Sequence, residues 1–192
     1  MKNVVGVLII GVALLSTSCK KKLIESNEQK ADDIVYEPLD ITLSGVSELS
    51  VQIPYDERLN FRFSIMDIKA MNDNWDESNT DTLAADVSVN HVQILDDSKF
   101  GYLNALDADA EINPNSGYWN NRTDPDNYLL STSWGAEFKG AGDKYLAFRL
   151  QKDGGYIYGW FLVNCTEKSD ELQIKGYAYN KTVSNPIQAG EQ

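Results

Sequence analysis

Residues 144–163 constrain the fold more than any other part of the chain. They read Lys144-Tyr-Leu-Ala-Phe-Arg-Leu-Gln151, then Lys152-Asp-Gly-Gly155, then Tyr156-Ile-Tyr-Gly-Trp-Phe-Leu-Val163. Two β-rich runs joined at Asp-Gly are the strongest short-range hairpin signal, because glycine reaches positive φ without steric cost. A third run, Leu172-Gln-Ile-Lys-Gly-Tyr-Ala-Tyr179, comes soon after. The remainder of the domain is expected to supply strands that add to this hairpin.

From Leu39 onward the texture is short apolar runs broken by Gly, Pro, Asn and Asp, with no 3.6-residue apolar pattern long enough for a helix. Expected strands are Leu39–Leu43, Glu48–Ile53, Asn60–Asp67, Asp86–Leu95, Tyr128–Thr132, Lys144–Gln151, Tyr156–Cys165 and Glu171–Tyr179. Several alternate. Phe61, Phe63 and Ile65 share one face with Arg62, Ser64 and Met66 opposite, while Val87, Val89 and His91 oppose Ser88, Asn90 and Val92. About eight strands with turn signals between them predict an all-β protein, a single antiparallel two-sheet β-sandwich of the jelly-roll kind. Residues 39–192 form that one domain, with neither an internal repeat nor a second boundary.

The hairpin is apolar on both faces. Ile157, Gly159, Phe161 and Val163 make one row, and Tyr156, Tyr158, Trp160 and Leu162 make the other. One row must pack in the core. The second, extended by Tyr177 and Tyr179 if the next strand pairs alongside, either forms an exposed aromatic strip suited to stacking on sugar rings or lies under the long loop 96–127. Cover by the loop is the plainer expectation. Cys165 falls in phase with Ile157, Phe161 and Val163, which predicts a buried, inert thiol.

The amino terminus carries an address. Lys2 gives a basic start, Val4–Leu15 an apolar core, and Ser16, Thr17 and Ser18 lead to Cys19. A core of roughly a dozen residues is too short to cross a bilayer of about 30 Å, which takes about 20 residues as a helix. The segment resembles the lipobox of bacterial lipoproteins, with its Leu one place early, at Leu15. The resemblance implies removal of residues 1–18 and lipidation of Cys19. Residues 19–38 then form a polar tether, and Lys20–Lys22 lie at the lipid headgroups. The expected location is extracytoplasmic, anchored to the cell envelope at the outer membrane. With Cys19 lipidated, Cys165 has no disulfide partner within the chain. A formal net charge of −12 repels phosphate backbones, so nucleic acid is excluded as a partner.

Few residue clusters suggest chemistry. If Asp107-Ala-Asp-Ala-Glu111 were extended, alternation would place Asp107, Asp109 and Glu111 on one face, roughly 7 Å apart for neighbours and about 13 Å for the outer pair. Inverting glycosidases need carboxyls about 6.5–9.5 Å apart and retaining ones about 5–5.5 Å, so only neighbours suit, and as an inverting pair. A solvated acidic loop is the plainer alternative. The stretch from Asn72 to Asp81 is rich in oxygen ligands for calcium but lacks the EF-hand spacing and its glycine, which leaves it a surface loop. Gly135–Gly140 has the outer spacing of a phosphate loop but continues with Ala141, and is expected to be a turn. His91 is the single histidine, which excludes histidine-rich zinc sites; it is expected to be a structural residue on an apolar strand face. Asn121, Asn164 and Asn180 open Asn-x-Thr sequons, and Asp81-Thr-Leu83 resembles a bacterial O-glycosylation site. No metal site and no cofactor are expected.

The carboxy-terminal third carries Gly140-Ala-Gly-Asp-Lys-Tyr-Leu-Ala-Phe-Arg-Leu150, Tyr158-Gly-Trp160, Tyr177-Ala-Tyr-Asn180 and Pro186-Ile-Gln-Ala-Gly190. This series resembles the terminal module of secreted or lipid-anchored bacterial β-sandwich proteins of unknown function. The resemblance is close over the last 50 or so residues and looser before them, and it implies a secreted β module but no activity. The expected function is a lipid-anchored, non-enzymatic envelope protein that binds a glycan or another surface protein, or serves structurally. Glycan hydrolysis by Asp107, Asp109 and Glu111 is the alternative.

Overall fold

The computed structural model describes residues 33–67, 83–96, 103–120, 127–131 and 137–192. The expected signal peptide, Cys19, most of the tether, the oxygen-rich stretch 72–81 and Asn121 lie outside them. In chain order the strands are β1 Ile34–Ser44, β2 Ser47–Gln52, β3 Asn60–Asp67, β4 Leu83–Val89, β5 Gln93–Asp96, β6 Ala105–Leu106, β7 Glu111–Ile112, β8 Tyr118–Asn120, β9 Asn127–Ser131, β10 Gly142–Lys152, β11 Gly155–Cys165, β12 Glu171–Asn180 and β13 Ile187–Gln188. Among the described residues they form a larger sheet of order β1-β12-β11-β10-β5-β8, with β6 also on β10; a smaller sheet β2-β3-β4-β9; and a short pair, β13-β7.

The β10–β11 hairpin is the scaffold of the larger sheet. Asp153 (φ 49°) and Gly154 (φ 80°) both adopt the left-handed region, the backbone of a type I′ turn whose twist matches that of the strands it joins. Pairing runs without a slip from Lys152↔Gly155 to Gly142↔Cys165. Gly159 is required in mid-strand, because a Cβ there would lie 2.3 Å from the Phe148 ring and 2.6 Å from the Ala178 carbonyl. Its absence lets Phe148 cross the neighbouring strand into the core.

The two sheets pack face to face. Phe61 lies with its ring centroid 4.9 Å from Phe148 and 4.7 Å from Phe161, and Phe63 lies 5.2 Å from Phe161. Val87, Ile65, Leu146, Leu150, Ile157, Val163 and Ile174 complete this main core, each at most 1 % exposed. Cys165 is buried in it, as its phase predicted. The molecule is therefore an all-β sandwich. Its connections include meanders, β2-β3-β4 in one sheet and β10-β11-β12 in the other, and crossings between the sheets, from β1 to β2 and from β4 to β5.

Two expectations change. Strand β1 starts at Ile34, so the domain takes in residues assigned to the tether: Tyr36 pairs with Ala178 and Val35 with Tyr179. Pro38 does not end the strand, because β1 is the edge of its sheet and the pairing register shifts just after this residue. The stretch 86–95, expected as one strand, is two strands in different sheets. His91, at φ 61°, turns the chain between them and is exposed, not on a strand face.

Candidate functional site

The aromatic row was the first candidate, and it lies inside the protein. Tyr158 and Trp160 are each 1 % exposed, and Tyr156 is half-buried. Trp160 packs edge-on to Tyr145 with centroids 5.1 Å apart, and Tyr158 lies 6.0 Å from Trp119. Ile112, Trp119, Ile187 and Ala189 close over the row to form a second hydrophobic core. The cover has two sources, loop residues 103–120 and the carboxy-terminal segment. The two are tied by β13-β7 pairing and by reciprocal backbone bonds, Ala189 N–H to Ala110 O and Asp109 N–H to Ala189 O, each 2.9 Å. The larger sheet is thus covered on both faces around β11 and is there the middle of three layers, which is why β11 is apolar on both sides.

Tyr177 and Tyr179 do not extend this row. The β11–β12 register sets Phe161 opposite Tyr177 and Gly159 opposite Tyr179, which puts both tyrosines in the main core, at 5 % and 6 % exposed. Burial raises the phenol pKa of Tyr158, Tyr177 and Tyr179. Beside Tyr158, the Arg149 guanidinium sits between the rings of Tyr156 and Trp119, at 4.1 Å and 4.7 Å from their centroids. Its Nε donates to Gln93 Oε1 at 2.5 Å. This stack fastens the edge of the cover by cation–π contact.

The three acids of 107–111 are not aligned. Residues 108–109 form a turn with Asp109 at φ 65°, and only Glu111 of the three lies in a strand, β7. The single-face geometry that hydrolysis required is absent, because this stretch bends to meet the carboxy-terminal segment. Asp107 is held by Lys144 Nζ at 2.5 Å. Among the described residues no group of three His, Cys, Asp or Glu side chains is placed to hold a metal ion.

The outer face of the smaller sheet is different. Alternation sends Phe61, Phe63, Ile65 and Val87 inward, so Arg62, Ser64, Asp86 and Ser88 point away from the core. Cross-strand pairing sets them in two rows, Glu48–Ser64–Asp86 and Ser50–Arg62–Ser88. Two cavities open here. One, of about 420 Å³, is lined by Glu48, Arg62, Ser64, Met66 and Asp86, with Val46 at its rim; the other, of about 370 Å³, is lined by Ser50, Asn60, Arg62, Ser88 and Asn90. Arg62 lines both. Its side chain is 50 % exposed, donates to Ser88 Oγ at 3.3 Å and stands 4.0 Å from Glu48.

Asp86 is the unusual member. It is 1 % exposed, and its Oδ1 has no hydrogen-bond partner among the described residues. Oδ2 accepts a long 3.5 Å bond from Ser88. Burial pushes its pKa up to about 7, against the opposing pull of the Ser88 hydroxyl and the Arg62 charge. A carboxyl of this kind on the wall of a cavity can donate or accept according to pH. The sequence placed Arg62, Ser64 and Ser88 on a polar strand face, and such a face is ordinarily only solvated. The residue that marks it out is Asp86, whose burial depends on tertiary packing.

The fold and this face define an all-β sandwich with one outer surface sealed by apolar cover and one that carries polar-lined cavities. Comparison with family models, with curated proteins and with solved structures finds no match for the chain.

Proposed function

We propose that the protein is a lipid-anchored component of the bacterial cell envelope, held at the outer membrane through Cys19, whose sandwich is a non-enzymatic binding module. The observation that carries the binding role is the pair of cavities flanking Arg62 on the outer face of the smaller sheet. With Tyr158 and Trp160 buried, stacking on the aromatic row is not part of this reading. The anchor rests on the sequence of residues 1–22. Metabolic labelling with a palmitate analogue tests it: the full chain takes up label and fractionates with membranes, and Cys19→Ser abolishes both. Label retained in Cys19→Ser would refute the anchor. For the binding face, Ser50→Trp should block and Arg62→Ala should weaken about tenfold or more the binding of any ligand found for the full chain, and Tyr118→Ala, in the larger sheet, should do neither.

A further inference from the structure

We propose that the groove around Arg62 and Asp86 takes an uncharged carbohydrate of at least two rings, an assignment that rests on the binding face proposed above. Length is the first argument. Arg62 lines both cavities, and the stretch of β3 from Asn60 to Ser64 that runs beneath them covers about 13 Å of extended strand. That is longer than one sugar ring.

Charge is the second. Among the described residues the groove is lined by one cation, Arg62, and two carboxyls, Glu48 and Asp86. An anionic ligand drawn to Arg62 would face Glu48 and the field of a chain with net charge −12. A cationic ligand would face Arg62. Hydroxyl groups meet neither penalty, since each both donates and accepts: guanidinium N–H groups serve their oxygens, and carboxyl, serine and amide oxygens serve their hydrogens. Met66 and the exposed Val46 supply an apolar rim for the C–H face of a ring.

Asp86 supplies the third. A buried carboxyl oxygen without a partner is costly in an unliganded protein, and the cost is relieved when a ligand hydroxyl bonds to it. The carboxyl torsion is broad and roughly two-fold, so a modest rotation can bring that oxygen to the cavity wall. Among the described residues that line the groove there is no aromatic ring to stack on a sugar, so the contacts they offer are hydrogen bonds.

The test is an NMR titration of the full chain, in amide-resolved spectra, with a panel of neutral di- and trisaccharides built from glucose, mannose, galactose and N-acetylglucosamine. Digalacturonate serves as the anionic probe and putrescine as the cationic one. At least one neutral saccharide should move the amides of Ser50, Arg62, Ser64, Asp86 and Ser88 while leaving Tyr156–Trp160 unmoved. Asp86→Asn and Arg62→Ala should each weaken that saccharide about tenfold or more, the effect of removing a hydrogen bond to a charged group. Ser50→Trp, at an exposed position, blocks the groove without touching the buried carboxyl and gives the same answer if Asp86→Asn fails to fold. Shifts with digalacturonate or putrescine alone, or no shift with any saccharide, overturn the carbohydrate assignment but leave the binding face open to another ligand. A saccharide whose shifts map away from Arg62 overturns both.

Discussion

The two outer surfaces of the sandwich obey the same alternation rule and end in opposite states. On the larger sheet the residues pointing away from the main core are Tyr145, Tyr158, Trp160 and Ala178, and a third layer of short strands covers them. On the smaller sheet the outward residues are Arg62, Ser64, Asp86 and Ser88, and cavities open between them. The difference shows that an aromatic row is not in itself a binding surface. Large apolar side chains on a second face recruit cover, because burying each contributes about 1.5–3 kcal/mol. A polar face has no such drive and stays open to ligands.

Substitutions of matched kind on the two surfaces sharpen the contrast. The largest effect is expected from Trp160→Ala, which empties the centre of the second core and should cost about 3–5 kcal/mol, read as a lower urea midpoint. A cost under about 1 kcal/mol would mean that the row is not sealed. Asp86→Asn should have the next largest effect, with the opposite sign. The folded carboxyl holds its proton up to about 7 and the unfolded one only to 3.8. The wild type therefore loses stability as pH rises between those values, on the order of 4 kcal/mol, and the Asn variant does not. Urea unfolding at pH 4, 6 and 8 should show the two nearly equal at pH 4 and the variant ahead at pH 8; parallel curves would show that Asp86 is not buried as described. Ile187→Val trims the carboxy-terminal part of the cover and should cost about 1 kcal/mol. Arg62→Ala, on the outer face of the smaller sheet, should change stability by less than about 0.5 kcal/mol while weakening ligand binding about tenfold or more.

Legibility in the sequence followed the range of the forces involved. The hairpin could be read because its turn is local: Asp153 and Gly154 alone set it, and they fix the register of both strands. Strand β3 was legible with both ends correct, since Phe61, Phe63 and Ile65 alternate without interruption. The break between β4 and β5 was hidden, because alternation continues in phase through Asn90 and His91 while the chain passes from one sheet to the other. Strands β6, β7 and β13, two residues each, are too short to carry a period. The side taken by Tyr177 and Tyr179 depended on the β11–β12 register, in which a slip of one residue exchanges the faces. The outer face of the smaller sheet was readable as polar, but the burial of Asp86 there was not.

The central claim is that one outer surface is sealed and the other open. Hydroxyl-radical footprinting of the full chain, quantified by mass spectrometry, tests both halves together, with Tyr118, 55 % exposed, as the internal standard for an accessible aromatic. Tyr158 and Trp160 should stay protected while Tyr118, Val46 and Met66 are labelled. Labelling of Tyr158 and Trp160 at the rate of Tyr118, with Met66 protected, would contradict it.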